Sequence, residues 1–152
     1  MNTPRATRSR GFVTVLVVVY GIFALSATAR SLVQILRDFS AAPVAYLLSL
    51  VAALTYIAAA VLLARRGGED SPAALVLCSV ELAGVVGVGL LTVLDPALFP
   101  DDTVWSRFGS GYGYVPLVLP MVAIAYLLHR RRRRTQGSRP EVDRATAPHD
   151  VA

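Results

Sequence analysis

Lysine is absent from the sequence, cysteine occurs once and histidine twice, and only 16% of the 152 residues are charged. The single Cys78 excludes an intramolecular disulfide, and so few cysteines and histidines leave no zinc site of the usual kind. The sequence also carries no glycine-rich phosphate loop and no Ser/His/Asp set. We therefore predict no catalytic residues, no metal and no other cofactor, and we interpret the chain as a protein that is not an enzyme.

Apolar residues are abundant instead, at 55% of the chain with a mean hydropathy of +0.56, which is too apolar for a soluble domain of this size. Four apolar runs cover residues 12–29, 43–64, 73–94 and 112–128. A helix of about 22 residues spans ~33 Å, enough for a hydrocarbon core roughly 30 Å thick. Because lipid offers no hydrogen bonds to bare backbone groups, we predict an all-α polytopic membrane protein, with four transmembrane helices in a bundle.

The segments between the runs carry helix boundary signals. Ser71 and Pro72 are typical of an N-cap and a first helical residue after a polar turn at 65–72, and Asp95 with Pro96 ends the third run. The apolar residues of segment 30–42 share one helical face, which predicts one interfacial helix that lies in the headgroup zone and continues the first span. These residues are Leu32, Val33, Ile35, Leu36 and Phe39.

The runs divide the chain into three parts. Residues 1–11 form a predicted cytoplasmic N-terminal segment, and residues 12–128 form the four-helix membrane domain. Residues 129–152 begin with His129 and five arginines and continue as a polar segment, so we predict a basic, disordered cytoplasmic tail.

Arginine placement predicts the orientation in the membrane. With both termini in the cytoplasm, the inner side holds twelve arginines, whereas the outer side holds only Arg30, Arg37 and Arg107. The twelve are Arg5, Arg8, Arg10, Arg65, Arg66, Arg130, Arg131, Arg132, Arg133, Arg134, Arg139 and Arg144. An alternative is that the first run is a cleaved secretory signal ending in Ala27-Thr28-Ala29, although its 18 residues exceed the usual apolar length of such signals.

Glu81 is the only carboxylate inside a predicted span, and it forms the candidate intramembrane polar site with Tyr20, Tyr56 and Pro120. A charge at that depth costs roughly 3 kcal/mol, so it needs a partner, a proton or a hydrated cavity. Counted from the cytoplasmic ends, all four residues lie at one depth. Glu81 could relay protons, or it could hold the helices together through a hydrogen bond, which is the commoner role of such groups.

The connection between the third and fourth spans carries four aromatic residues, Trp105, Phe108, Tyr112 and Tyr114. Such residues favour the membrane interface, where one end of a ring is wet and the other dry. We predict that they form an outer-loop interaction surface, while the glycines of 109–113 let the chain bend closely over the bundle.

The cluster of Arg130, Arg131, Arg132, Arg133 and Arg134 follows the last span directly. At this position the arginines primarily determine the orientation of the span in the membrane. We predict that they also bind anionic lipid headgroups rather than nucleic acid.

Four blocks are distinctive in combination: ARSLVQI at 29–35, APVAYLLS at 42–49, TVWS at 103–106 and GYGYVPLVLP at 111–120. With them the chain resembles a group of small four-span integral membrane proteins of actinobacteria, over roughly residues 10–130. The resemblance implies placement in the cell membrane, and it supplies no activity that could be carried over to this chain. The all-arginine basic set agrees with a high-GC genome.

Two functions fit these features. The first is a non-enzymatic accessory or scaffold subunit that contacts another membrane protein, or a second copy of itself, within the lipid bilayer. The alternative is a small proton-coupled transporter or channel that uses Glu81. It is similar to small multidrug resistance transporters in size and span count, but those carry their essential glutamate in the first helix.

Overall fold

The computed structural model describes residues 5–65 and 70–137, and all regular structure within these ranges is helical. Its four long helices are α1 (Arg5–Asp38), α2 (Pro43–Ala64), α3 (Pro72–Leu94) and α4 (Val115–Gly137). Short 3-10 turns lie at Phe39–Ala41, Pro96–Leu98 and Ser106–Tyr112. The predicted all-α polytopic bundle is therefore confirmed.

Large apolar side chains cover the outside of the bundle. Leu25 is 74% exposed, Ile22 61% and Val76 61%, as expected of side chains that lipid rather than water surrounds. Helices α1 to α3 are each long and apolar enough to cross a membrane, and α4 adds a fourth span when it is counted with the turn before it, from which it is bent by 101°.

The boundaries of the two central helices agree with the sequence signals. Helix α2 covers the predicted 43–64, and α3 begins at Pro72 and ends just before Asp95. The Ser71 hydroxyl accepts a hydrogen bond from the backbone N–H of Ala73 at 3.2 Å, so the predicted N-cap is confirmed.

The outer helices are longer than predicted. Helix α1 runs unbroken for 34 residues, about 51 Å. Residues 30–38 therefore continue the helix of the first span, as predicted, but they belong to the same unbroken helix and form no separate interfacial helix. Segment 30–38 contains neither proline nor glycine that would break the helix, and Ser31 within it is fully buried. Residues 5–11 belong to the same helix.

The start of the predicted tail is also helical, because α4 continues to Gly137. Arginine is a good helix former, and the side chains of His129 and Arg133 are hydrogen-bonded one turn apart at 2.8 Å. Residues 1–4, the polar turn at 66–69 and the tail from 138 to 152 lie outside the described residues.

Alanine is the most frequent residue of the bundle interior. Alanines buried on α1, α2, α3 and α4 let the helix backbones approach closely, which is how membrane helices gain van der Waals contact. They are Ala24, Ala27, Ala45, Ala52, Ala53, Ala59, Ala74 and Ala123. The few large or polar side chains that enter this interior therefore have closely fitted surroundings.

Candidate functional site: a buried polar centre beneath a re-entrant loop

Glu81 lies completely buried on α3 and is tied to α1. The Tyr20 hydroxyl donates a hydrogen bond to Glu81 Oε2 at 2.8 Å, and the Cys78 sulfur lies 3.7 Å from the same hydroxyl. Glu81 Oε1 is buried without a hydrogen-bond partner among the described residues. The pair thus bridges two helices through one strong hydrogen bond and leaves one carboxyl oxygen unused.

Tyr56 and Pro120 are also buried, but neither bonds to Glu81. The Tyr56 ring centre lies 6.3 Å from that of Tyr20, while its hydroxyl accepts a hydrogen bond from the Trp105 indole N–H at 2.9 Å. None of the hydrogen bonds described for residues 5–65 and 70–137 joins Pro120 to the other three. The structure therefore joins Tyr20 to Glu81, places Tyr56 beside them, and leaves Pro120 as a packing residue.

The connection between α3 and α4 folds back into the bundle. Thr103, Val104, Trp105 and Ser106 are each at most 4% exposed. Gly84 makes room for the indole, because a Cβ at that position would lie 2.7 Å from a Trp105 ring carbon. This connection is hereafter the re-entrant loop, residues 95–114.

The burial of Trp105 corrects the predicted outer-loop interaction surface. Phe108 and Tyr112 are half-buried, and Tyr114 alone of the four aromatic residues is well exposed, at 52%. The aromatic residues suggested an interface belt, but the slot at Gly84 together with the Tyr56 hydroxyl offers the indole both van der Waals contact and a hydrogen bond.

Buried backbone groups of the re-entrant loop are satisfied by hydroxyls. The Ser106 hydroxyl accepts from the Thr103 N–H at 2.8 Å, and the Thr103 hydroxyl accepts from the Trp105 N–H at 3.0 Å. The Arg107 N–H donates to the Thr92 hydroxyl of α3 at 2.8 Å. Because unpaired backbone groups are costly in an apolar interior, these bonds hold the loop in place.

The loop contains a strained turn. Arg107 and Phe108 have φ of 48° and 61°, and Gly109 follows at 78°. The left-handed conformation costs a non-glycine residue roughly 1 kcal/mol or more, and such strain persists only where the surroundings impose it. Here the surroundings include Gly89, at which a Cβ would lie 2.6 Å from the Phe108 ring. The prediction that glycines let this segment bend is confirmed at Gly109 and at Gly113, which has φ of 62°.

A polar pocket of about 270 Å³ opens beside the strained turn. Its lining includes Arg30, Asp102, Ser106, Arg107, Ser110 and Tyr112, and we call it the loop-end pocket. Sequence reasoning missed it. The signal that could have found it is Arg30, an arginine on the predicted outer side that directly follows an apolar run.

At the opposite end of the bundle, part of the arginine cluster is already engaged. Arg130 Nε lies 3.1 Å from Asp70 Oδ1, an ion pair that joins α4 to the residues just before α3. Arg131 is half-buried, Arg132 and Arg133 are exposed, and Arg134 is described by its backbone alone. Binding of anionic headgroups by the cluster stays a prediction. Arg130 is already paired with a carboxylate of the protein.

No group of three or more His, Cys, Asp or Glu side chains that could hold a metal ion occurs within residues 5–65 and 70–137. Comparisons with protein-family models, curated proteins and solved structures found no match to this chain. The functional argument therefore rests on the geometry of the buried centre, the re-entrant loop and the loop-end pocket.

Proposed function

We propose that this chain is a non-enzymatic accessory or scaffold protein of the cell membrane, a closed helical bundle that contacts another membrane protein. The observation that carries the proposal is the position of Trp105. Its indole is 3% exposed and hydrogen-bonded to Tyr56, whose ring in turn lies beside the ring of Tyr20. The re-entrant loop therefore closes the polar centre from its own end of the bundle.

This closure argues against a transport pathway in the folded protein. Glu81 is 0% exposed and does not line the loop-end pocket. A solute or proton approaching from that end would have to displace Trp105, with loss of its hydrogen bond and of its contact with Gly84. The Tyr20–Glu81 bond is then best explained as a polar tie between α1 and α3.

An apolar patch at the end of α1 supports a protein partner. Leu32, Val33, Leu36 and Phe39 are 48%, 52%, 82% and 42% exposed. With the apolar run 12–29 centred in the bilayer, Leu36 lies about 23 Å along the helix from the midplane, beyond the ~15 Å half-thickness of the hydrocarbon core. An apolar surface beyond that boundary gains free energy when a neighbouring protein covers it.

Site-specific photo-crosslinking in intact cells tests the accessory role. A photoreactive residue at Leu36 is expected to give one protein adduct of reproducible mass. The same residue at Leu25, 74% exposed within the first apolar run, is the matched control and is expected to give none. Adducts of the same mass and yield from both positions, or none from Leu36, would contradict the proposal.

The alternative of a proton-coupled transporter keeps one observation in its favour, the buried and unpartnered Glu81 Oε1. Proteoliposomes containing a pH-sensitive dye test it with the wild type and Glu81→Gln. Under the accessory proposal both leak protons no faster than empty liposomes, and the variant folds normally. Faster proton entry through the wild type that Glu81→Gln abolishes would establish the transporter instead.

The orientation with both termini in the cytoplasm belongs to the same proposal, supported by the twelve arginines placed on that side. Protease added to sealed right-side-out vesicles is expected to leave the arginine-rich C-terminal segment intact, and clipping of that segment would show the opposite orientation.

Membership of the actinobacterial four-span group is proposed on the sequence blocks at 29–35, 42–49, 103–106 and 111–120. It predicts that the group's other members also bury the tryptophan of the TVWS block.

A further inference from the structure

We propose that the loop-end pocket binds a phosphate group, carried by a lipid headgroup or by a soluble phosphate ester. The pocket is lined by two arginines, Arg30 on α1 and Arg107 on the re-entrant loop. Guanidinium is the side-chain group best matched to phosphate, because its planar N–H donors bind two oxygens at once.

The guanidinium of Arg30 is hydrogen-bonded to neutral acceptors alone. Its Nη1 donates to the Tyr112 hydroxyl at 3.2 Å and its Nη2 to the Asp102 backbone carbonyl at 2.9 Å, both of which are neutral acceptors. Its Nε is buried without a hydrogen-bond partner, and no ion pair is described between Arg30 and a carboxylate within residues 5–65 and 70–137. A half-buried cation with an unused donor favours an anionic ligand.

Arg107 is placed at the pocket by the strained turn. Its backbone N–H is held by Thr92, its φ is 48°, and its exposed guanidinium forms no hydrogen bond or ion pair with a residue of the described ranges. Strained backbone conformations are common at ligand sites, where the surrounding structure holds a residue in a conformation that it would not adopt alone. Here the consequence is a second arginine in the same pocket lining as Arg30, and the guanidinium of this second arginine has no partner in the described ranges.

The remaining lining adds hydroxyls and one carboxylate. Ser110 offers a hydroxyl that makes no hydrogen bond within the described chain, whereas Asp102 also lines the pocket. The neighbouring Asp101 carboxylate is already engaged by Gln34 at 3.1 Å and Tyr46 at 3.2 Å. Gln34 and Tyr46 are neutral, so Asp101 keeps its charge, but it lies outside the pocket lining. Within the lining, two arginines against the carboxylate of Asp102 give one net positive charge, which suits a phosphodiester with one negative charge.

The position of Arg30 along α1 fits the depth of lipid phosphates. With the apolar run 12–29 centred in the bilayer, Arg30 lies about 14 Å along α1 from the midplane, close to the edge of a ~30 Å hydrocarbon core. A phosphate at the edge of the core can therefore reach Arg30 while the acyl chains of its lipid remain among the exposed apolar side chains of the bundle.

Binding can be measured on the purified full chain in detergent with two kinds of probe. Native mass spectrometry follows phosphatidylglycerol, and a thermal-shift titration follows inorganic phosphate and glycerol 1-phosphate. Arg107→Gln is the main variant, because its side chain holds no other described contact, and Arg30→Gln is the second. Arg37→Gln is the matched control, since it removes the same charge from an exposed position of α1 outside the pocket lining.

We expect Arg107→Gln to weaken binding about tenfold, the loss of one charge-assisted hydrogen bond, while Arg37→Gln leaves binding unchanged. Retention of phosphatidylglycerol without a response to soluble phosphates identifies a lipid headgroup, and the opposite pattern identifies a soluble ester. Absence of binding by both kinds of probe overturns the proposal. Equal weakening by Arg37→Gln and Arg107→Gln overturns it too, because it would reveal general charge attraction.

Discussion

Gly84→Ala tests the buried position of Trp105 most directly. A Cβ at Gly84 would lie 2.7 Å and 2.8 Å from two carbons of the indole ring, distances at which one of the groups must move. The indole has little freedom to move, because it is buried and its N–H is bonded to Tyr56. We therefore expect the variant to force Trp105 partly out of its slot.

The magnitude follows from comparison with Gly87→Ala on the same helix. A Cβ at Gly87 has nothing within 4 Å, so that variant gains only the helix propensity of alanine, up to about 1 kcal/mol. Gly84→Ala has the same propensity gain but also overpacks a closely fitted site, which costs about 1–3 kcal/mol. The free energy of unfolding should thus be about 1–3 kcal/mol lower for Gly84→Ala than for Gly87→Ala.

Trp105 is the only tryptophan of the chain, so its fluorescence reports on its own environment. We expect the wild type and Gly87→Ala to show blue-shifted emission that acrylamide quenches poorly. Gly84→Ala should show red-shifted emission, stronger quenching and a lower unfolding midpoint in detergent. Equal midpoints together with unchanged emission in Gly84→Ala would refute the position of the re-entrant loop, and with it the closure on which the accessory proposal depends.

Three further predictions concern other contacts. Tyr20→Phe leaves Glu81 Oε2 without its donor in a buried site, so we expect a loss of about 1–3 kcal/mol in the free energy of unfolding, measured by denaturation with SDS. Arg130→Gln removes the ion pair with Asp70, whose side chains are 26% and 22% exposed, and should cost at most about 1 kcal/mol at low salt. Cys78 is 1% exposed, so a water-soluble maleimide should label it only after unfolding.

Each of these has a contradicting outcome. Glu81→Gln is the control for Tyr20→Phe, because the amide oxygen still accepts the tyrosine hydroxyl, and a larger loss in Glu81→Gln than in Tyr20→Phe would show that the carboxyl group has further partners. High salt should remove the difference between Arg130→Gln and wild type, and a difference that persists would argue for packing instead of charge. Rapid labelling of native Cys78 would show that the α1–α3 contact opens in solution.

Much of the fold follows from local physical chemistry. Segment 43–64 and the Ser71-Pro72 boundary were predicted closely, because hydrophobic length and capping act within a few residues of the chain. The apolar face of segment 30–42 also predicts that the first helix continues beyond residue 29, as α1 does up to Asp38. The helical segment 129–137 is not predicted, since it lies beyond the last apolar run and polarity alone does not end a helix. Glu81 and Tyr20 were placed at one depth by counting residues along helices of known rise.

The sequence by itself determined that four apolar segments form helices and that one carboxylate lies among them, because burial of backbone polar groups in lipid permits little else. Only the tertiary structure decided that Trp105 lies inside the bundle and that Arg30 and Arg107 meet at a pocket. Those arrangements depend on contacts between residues far apart in the chain, such as Gly84 with Trp105 and Arg30 with Tyr112. No local pattern of hydropathy or spacing encodes such contacts, since they form only when the helices have packed.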